Sequence, residues 1–147
     1  LPLMIAAIVS VLTFLPLMVM ALAHLLWALG TTWPIRSEAL LAQTVVGRPG
    51  MTRMPNRLLT LLIAILLTLA AIVAMGLAGH DDGGMVRTVL GALLAIGFLV
   101  RGVAGYTAGW RARYPAEPFA TLDRKNYSPL FLWIGAGYLI LVVMRLI

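Results

Sequence analysis

The sequence predicts an all-α, polytopic membrane protein: four transmembrane helices in a bundle, with a short interfacial helix in the first loop. Three observations predict it. Of 147 residues, 62% are hydrophobic and 11% charged, whereas a soluble domain has roughly 45–50% apolar and about 25% charged residues. The mean hydropathy is +1.01. Four long apolar stretches recur, and crossing a bilayer takes roughly 20 residues at about 1.5 Å each. So much apolar surface cannot all be buried in a core of this size, which argues against a soluble domain, and the same composition argues against disorder. With no cysteine, disulfides, thiolate metal sites and Cys nucleophiles are excluded. The net charge of +6, in so apolar a chain, points to membrane topology rather than nucleic-acid binding.

The first span covers about 3–29 and holds no Asp, Glu, Lys or Arg up to Leu29. It is too long for a signal-peptide core and lacks a basic n-region. Pro16 in its middle removes one backbone donor and predicts a kink. The second span covers about 58–78, opened by Pro55, Asn56 and Arg57 and closed by Gly79. The third covers about 85–104. The fourth covers about 129–145, with Ser128 expected as N-cap and Pro129 at the first helical position. Between the first two spans, Ser37-Glu38 opens a short apolar pattern (Leu40, Leu41, Val45, Val46) that Gly47 ends, which reads as a helix in the headgroup plane. Gly79 to Gly84 is a tight turn. The segment from about 105 to 127 reads as an aromatic and basic loop whose rings form an interfacial belt. Together these make one four-helix transmembrane domain over 1–147.

Charge sets the expected orientation. The two long connections and their edges carry Arg36, Arg48, Arg53, Arg57, Arg101, Arg111, Arg113, Arg124 and Lys125, while the opposite side has Arg87 and Arg145. By the positive-inside rule the long loops face the cytoplasm, and both termini face the periplasm. The expected location is a bacterial inner membrane.

Few residues could carry chemistry. His24 and Trp27 share a face of the first span with Ala21 and Ala28. An ionisable group in a span is a functional candidate, or else a neutral histidine bonded to a neighbouring helix. Arg101 stands among Gly97, Ala104, Gly105 and Ala108 at helical spacings. It could snorkel to the headgroups, or present a planar fork to a carboxylate or phosphate. Asp123 is the one acid near the fourth span, able to pair with Arg101 or Arg124 or to orient His24. His24, Trp27, Arg101, Asp123, Arg124 and Tyr127 therefore form the candidate ligand-binding or buried polar cluster. His24, Trp27, Arg101 and Asp123 are expected to converge at one level near the cytoplasmic face. His80-Asp81-Asp82 lacks further metal ligands, so no metal and no cofactor are expected.

The segments HLLWALG from His24, GRP from Gly47, Arg101-Gly102 with Gly105, PFATLDR from Pro118 and YSPL from Tyr127 occur in this order. Together they resemble a bacterial family of small four-helix integral-membrane proteins of unknown function. In that pattern a cysteine often follows the leucine, and Phe131 stands here. The resemblance implies four helices and no established activity. Three function classes stay open: a non-enzymatic accessory subunit or lipid- or small-molecule-binding protein of a larger membrane complex, a small enzyme acting on a lipid or isoprenoid-like substrate, and an oligomeric solute carrier. The enzyme would use His24 as acid/base, Arg101 as anion clamp and Asp123 as orienter. Expected partners are membrane lipids and a membrane protein or a second copy, without nucleic acid.

Overall fold

A computed structural model describes residues 1–147 and contains no strand. The helices are α1 (Pro2–Ala28), α2 (Glu38–Val45), α3 (Arg57–Gly76), α4 (Gly84–Ala104), α5 (Ala108–Arg113), α6 (Phe119–Leu122) and α7 (Ser128–Leu146), with a π-turn (Asp123–Tyr127) joining α6 to α7. Four runs are long and apolar enough to cross a membrane: α1, α3, α4 and the continuous helical stretch Phe119–Leu146.

α1 continues unbroken past Pro16. The missing amide leaves the Leu12 carbonyl without its helical donor. The Trp133 indole supplies one, donating to the Leu12 oxygen at 3.0 Å. This satisfies in lipid a group that water would otherwise have to solvate.

Around the bundle the order is α3–α1–α7–α4. Small residues set the seams. Along α1 the buried positions Ala6, Ser10, Thr13, Leu17 and Ala21, and along α3 Ala64, Leu67, Ala71 and Ala74, recur in steps of three and four; α1 packs chiefly on α3, with Thr13 turned to Gly137 of α7. That spacing is the seam of nearly antiparallel or parallel helices. The Ser10 hydroxyl crosses it and donates to the Ala74 carbonyl at 2.7 Å. α4 meets α7 through glycines: a Cβ at Gly102 would lie 3.0 Å from the Leu132 backbone nitrogen, and one at Gly135 would lie 2.9 Å from that of Leu99. At the centre Tyr138 is fully buried. Its hydroxyl donates to the Ala70 carbonyl, and its ring stacks on Phe98 at 5.9 Å between centroids.

The fourth span departs from expectation. Ser128 was expected to cap a helix starting at Pro129, but helix already surrounds it and it makes no cap bond. The cause is the π-turn. In an α-helix, residues five apart point about 140° away from each other, whereas the wider i→i+5 turn brings them toward one face. Asp123 and Ser128 can then both turn inward, and both are buried.

At the turn end, Arg145 is not the surface charge that its position suggests. It is 8% exposed. Its guanidinium donates to the Thr88 hydroxyl at 2.9 Å and to the carbonyls of Gly79, Asp82 and Gly84. It thereby satisfies the carbonyls of the α3–α4 turn. At the other end, α2 does form, capped by Ser37, whose hydroxyl accepts from the Leu40 amide at 3.3 Å. One face, Leu41 and Ala42, is fully buried against protein, while Leu40 stays exposed.

Candidate functional site

Arg101 sits in the last turn of α4, and its side chain reaches across to α5, the π-turn and α7. Gly105, one turn on, makes room for this, because a Cβ there would collide with the Ser128 hydroxyl and crowd the Asp123 carboxylate. Arg101 Nη2 donates to Asp123 Oδ1 at 2.6 Å, and Nη1 lies 3.5 Å from Ser128 Oγ. The flat guanidinium is also covered on its faces. Its carbon lies 4.1 Å from the Trp110 ring centre and 4.7 Å from that of Phe131, a cation–π arrangement that stabilises a poorly hydrated charge. Trp110 Nε1 donates to Asp123 Oδ2 at 3.0 Å. Both carboxylate oxygens are therefore engaged, and the Asp123 side chain is only 4% exposed against 23% for Arg101.

The chemistry of this cluster follows from its partners. Cation and carboxylate neutralise each other at low dielectric, which lowers the cost of burying either. The one hydroxyl among the contacts, that of Ser128, is fully buried, and each oxygen of the buried Asp123 carboxylate already accepts a hydrogen bond from the protein. An anionic ligand at Arg101 would compete with Asp123. What the arrangement does directly is tie four segments of the chain together.

His24 does not join this cluster. Its Nδ1 lies 2.7 Å from the Met20 carbonyl, and its ring meets Trp27 at 4.9 Å. Trp27 in turn donates through Nε1 to the Trp33 carbonyl at 2.8 Å. The partners of Arg101 lie on α5, the π-turn and α7, and none is on α1. The contacts thus form two pairs, Arg101 with Asp123 and His24 with Trp27, with no hydrogen bond, ion pair or ring contact between them. The reason is topological: α1 packs on α3 and α7, while α4 packs mainly on α7.

Tyr127 is joined to the Arg101 cluster through a chain of rings. Its hydroxyl donates to the Thr44 carbonyl at 3.1 Å, and its ring stands 5.8 Å from Phe119. Phe119 also contacts Tyr114, and Tyr114 contacts Trp110. These rings, expected as an interfacial belt, pack on one another and hold α2 against α6. Gly47 is where the two long connections touch: its φ is +80° and its missing side chain leaves room for the Phe119 ring. The Ala116 amide donates to the Gly47 carbonyl at 3.2 Å. Arg124 is exposed on the π-turn, outside the cluster.

Sequence reasoning missed Trp110, Phe131 and Ser128 as partners of Arg101. A shared helical face could not reveal Trp110, because the turn at Gly105–Thr107 intervenes.

No curated protein and no solved structure matches the chain. A family model does match, over residues 17–138, and its description is "Protein of unknown function (DUF3995)". The match runs from mid-α1 to mid-α7 and takes in Arg101, Asp123, Tyr127 and the whole aromatic set, so the chain, a multi-pass membrane protein by its four spans, belongs to the DUF3995 family of proteins of unknown function.

Proposed function

We propose that this is a non-enzymatic accessory protein of the cytoplasmic membrane, which works by binding lipid or a larger membrane complex, with its long basic connections on the cytoplasmic side. The observation that carries the reading is the closure of Asp123: with Oδ1 on Arg101 and Oδ2 on Trp110, the carboxylate most suited to acid–base work is committed to holding the fold. General acid–base catalysis needs a group within hydrogen-bond reach of the substrate proton. His24, the other candidate, is bonded within α1 and has no carboxylate to orient it. The test is purification of the full chain in mild detergent, followed by native mass spectrometry and lipid analysis. Intact phospholipid or a membrane subunit at whole-number stoichiometry is the expected result. Chemical conversion of the co-purified lipid on incubation, abolished by His24→Ala, would overturn the reading in favour of a small membrane enzyme.

A further inference from the structure

We infer that the groove between α1 and α7 is a binding site for one anionic phospholipid, with an acyl chain in the groove and the phosphate at the π-turn. The inference rests on the binding reading above and names its ligand. The groove has a volume of about 470 Å³, within the range of small-molecule sites. Its walls are Leu12, Leu15 and Pro16 on one side and Pro129, Leu130 and Trp133 on the other. On the α1 side the carbonyl that a lining proline frees is paired. The Leu12 carbonyl, which Pro16 leaves without a helical donor, is occupied by the Trp133 indole. A hydrocarbon chain lying there therefore covers that carbonyl already paired, where an orphaned one would cost free energy.

Polarity is confined to one end. Asn126 is the polar residue that lines the groove, and it lies seven residues from Trp133, about 10 Å along a helix. Beside it on the π-turn stand Arg124 and Lys125, both exposed. Neither has an ion-pair partner, whereas Arg101 does. Lys125 is four residues ahead of Pro129, one turn above the groove wall. Along α1, by contrast, the neighbouring exposed positions Leu15, Val19 and Leu22 are apolar. The site therefore joins an apolar trough to a cationic mouth, the order of parts in an anionic lipid. A partner helix would find the trough but would leave Arg124 and Lys125 unused.

The test is native mass spectrometry of the full chain in detergent, titrated with palmitoyl-oleoyl phosphatidylglycerol or with the phosphatidylcholine of the same chains. The wild type should retain the anionic lipid more strongly, by about fivefold for each basic residue engaged. Lys125→Gln should lower that preference by about the same factor while leaving phosphatidylcholine retention unchanged. Leu15→Trp, at a surface position that is 52% exposed and so tolerant of bulk, should fill the trough and lower retention of both lipids. A thermal unfolding midpoint within a few degrees of wild type shows that each variant is folded. Equal retention of the two lipids by the wild type, or no loss in Leu15→Trp, would overturn the inference as non-specific annular lipid. Dimer peaks that disappear in Leu15→Trp would also overturn it, by making the groove an interface between copies. Retained lipid that is chemically converted would instead overturn the non-enzymatic reading and leave the site standing.

Discussion

Arg101 shows how a single buried charge organises its surroundings. Truncating one member of a buried ion pair leaves the other unneutralised and typically costs about 3–5 kcal/mol. Arg101 keeps an exposed edge, so Asp123→Ala should fall near the lower end, about 3 kcal/mol, seen as a marked drop in the unfolding midpoint in detergent. Replacing both by leucine should recover most of the loss, because an apolar pair needs no counter-ion. Arg101→Lys should recover little, since an ammonium cannot spread its face over Trp110 and Phe131. Glycines offer a second, sharper contrast at this scale. Gly102→Ala drives a Cβ against the Leu132 side chain and backbone, whereas a Cβ at Gly97 meets nothing within 4 Å. The first substitution should destabilise by about 1–3 kcal/mol, as overpacking does. The second should be neutral or stabilising by up to about 1 kcal/mol, the helix-propensity difference. Side-by-side melts of the two variants check both signs.

At the scale of elements, the four spans were legible because apolar runs of this length have few other fates. α2 was legible from its cap and its stop at Gly47. Its docking was not, because that depends on an aromatic residue 72 positions later fitting against a residue with no side chain. The pairing of Arg101 with Asp123 was legible as one of three alternatives for the one acid near the fourth span, the others being Arg124 and His24. The π-turn was hidden, since helical periodicity alone puts Asp123 and Ser128 on different sides. The burial of Arg145 was hidden for a related reason: its donors go to carbonyls of a turn some 60 residues away, and charge patterning sees only distance from the span's end. The docking of α2 can be tested directly. Tyr127→Phe removes the hydrogen bond to the Thr44 carbonyl and should cost about 1 kcal/mol. Gly47→Ala should cost more, because both its positive φ and the Phe119 ring oppose a side chain. Trypsin should then cleave at the exposed Arg53 faster than in wild type, in the order Gly47→Ala, Tyr127→Phe, wild type.

For the whole molecule, basic residues are distributed unevenly between the two ends of the bundle. The guanidinium of Arg145 is spent on carbonyls within the fold, and Arg87 donates to the Gly76 carbonyl at 3.0 Å. At that end the acids Asp81 and Asp82 are exposed. At the other end Arg101 is neutralised by Asp123, but Arg36, Arg48, Arg53, Arg57, Arg111, Arg113, Arg124 and Lys125 remain. Lys and Arg in short loops near span ends govern orientation, and acids contribute little. The loop end should therefore face the cytoplasm, which also places the Arg124–Lys125 mouth of the α1–α7 groove against the anionic leaflet. Alkaline phosphatase fused after Ile147 should be active, and a cytoplasmic fluorescent reporter fused after Arg53 should fluoresce. The reverse pattern would put the basic connections outside and remove the electrostatic part of the lipid argument. Replacing Arg48, Arg53 and Arg57 together by glutamine provides a graded version. If positive charge holds the orientation, this variant should give a mixed signal from the Arg53-position reporter while Arg101 and Asp123, untouched, continue to hold the fold.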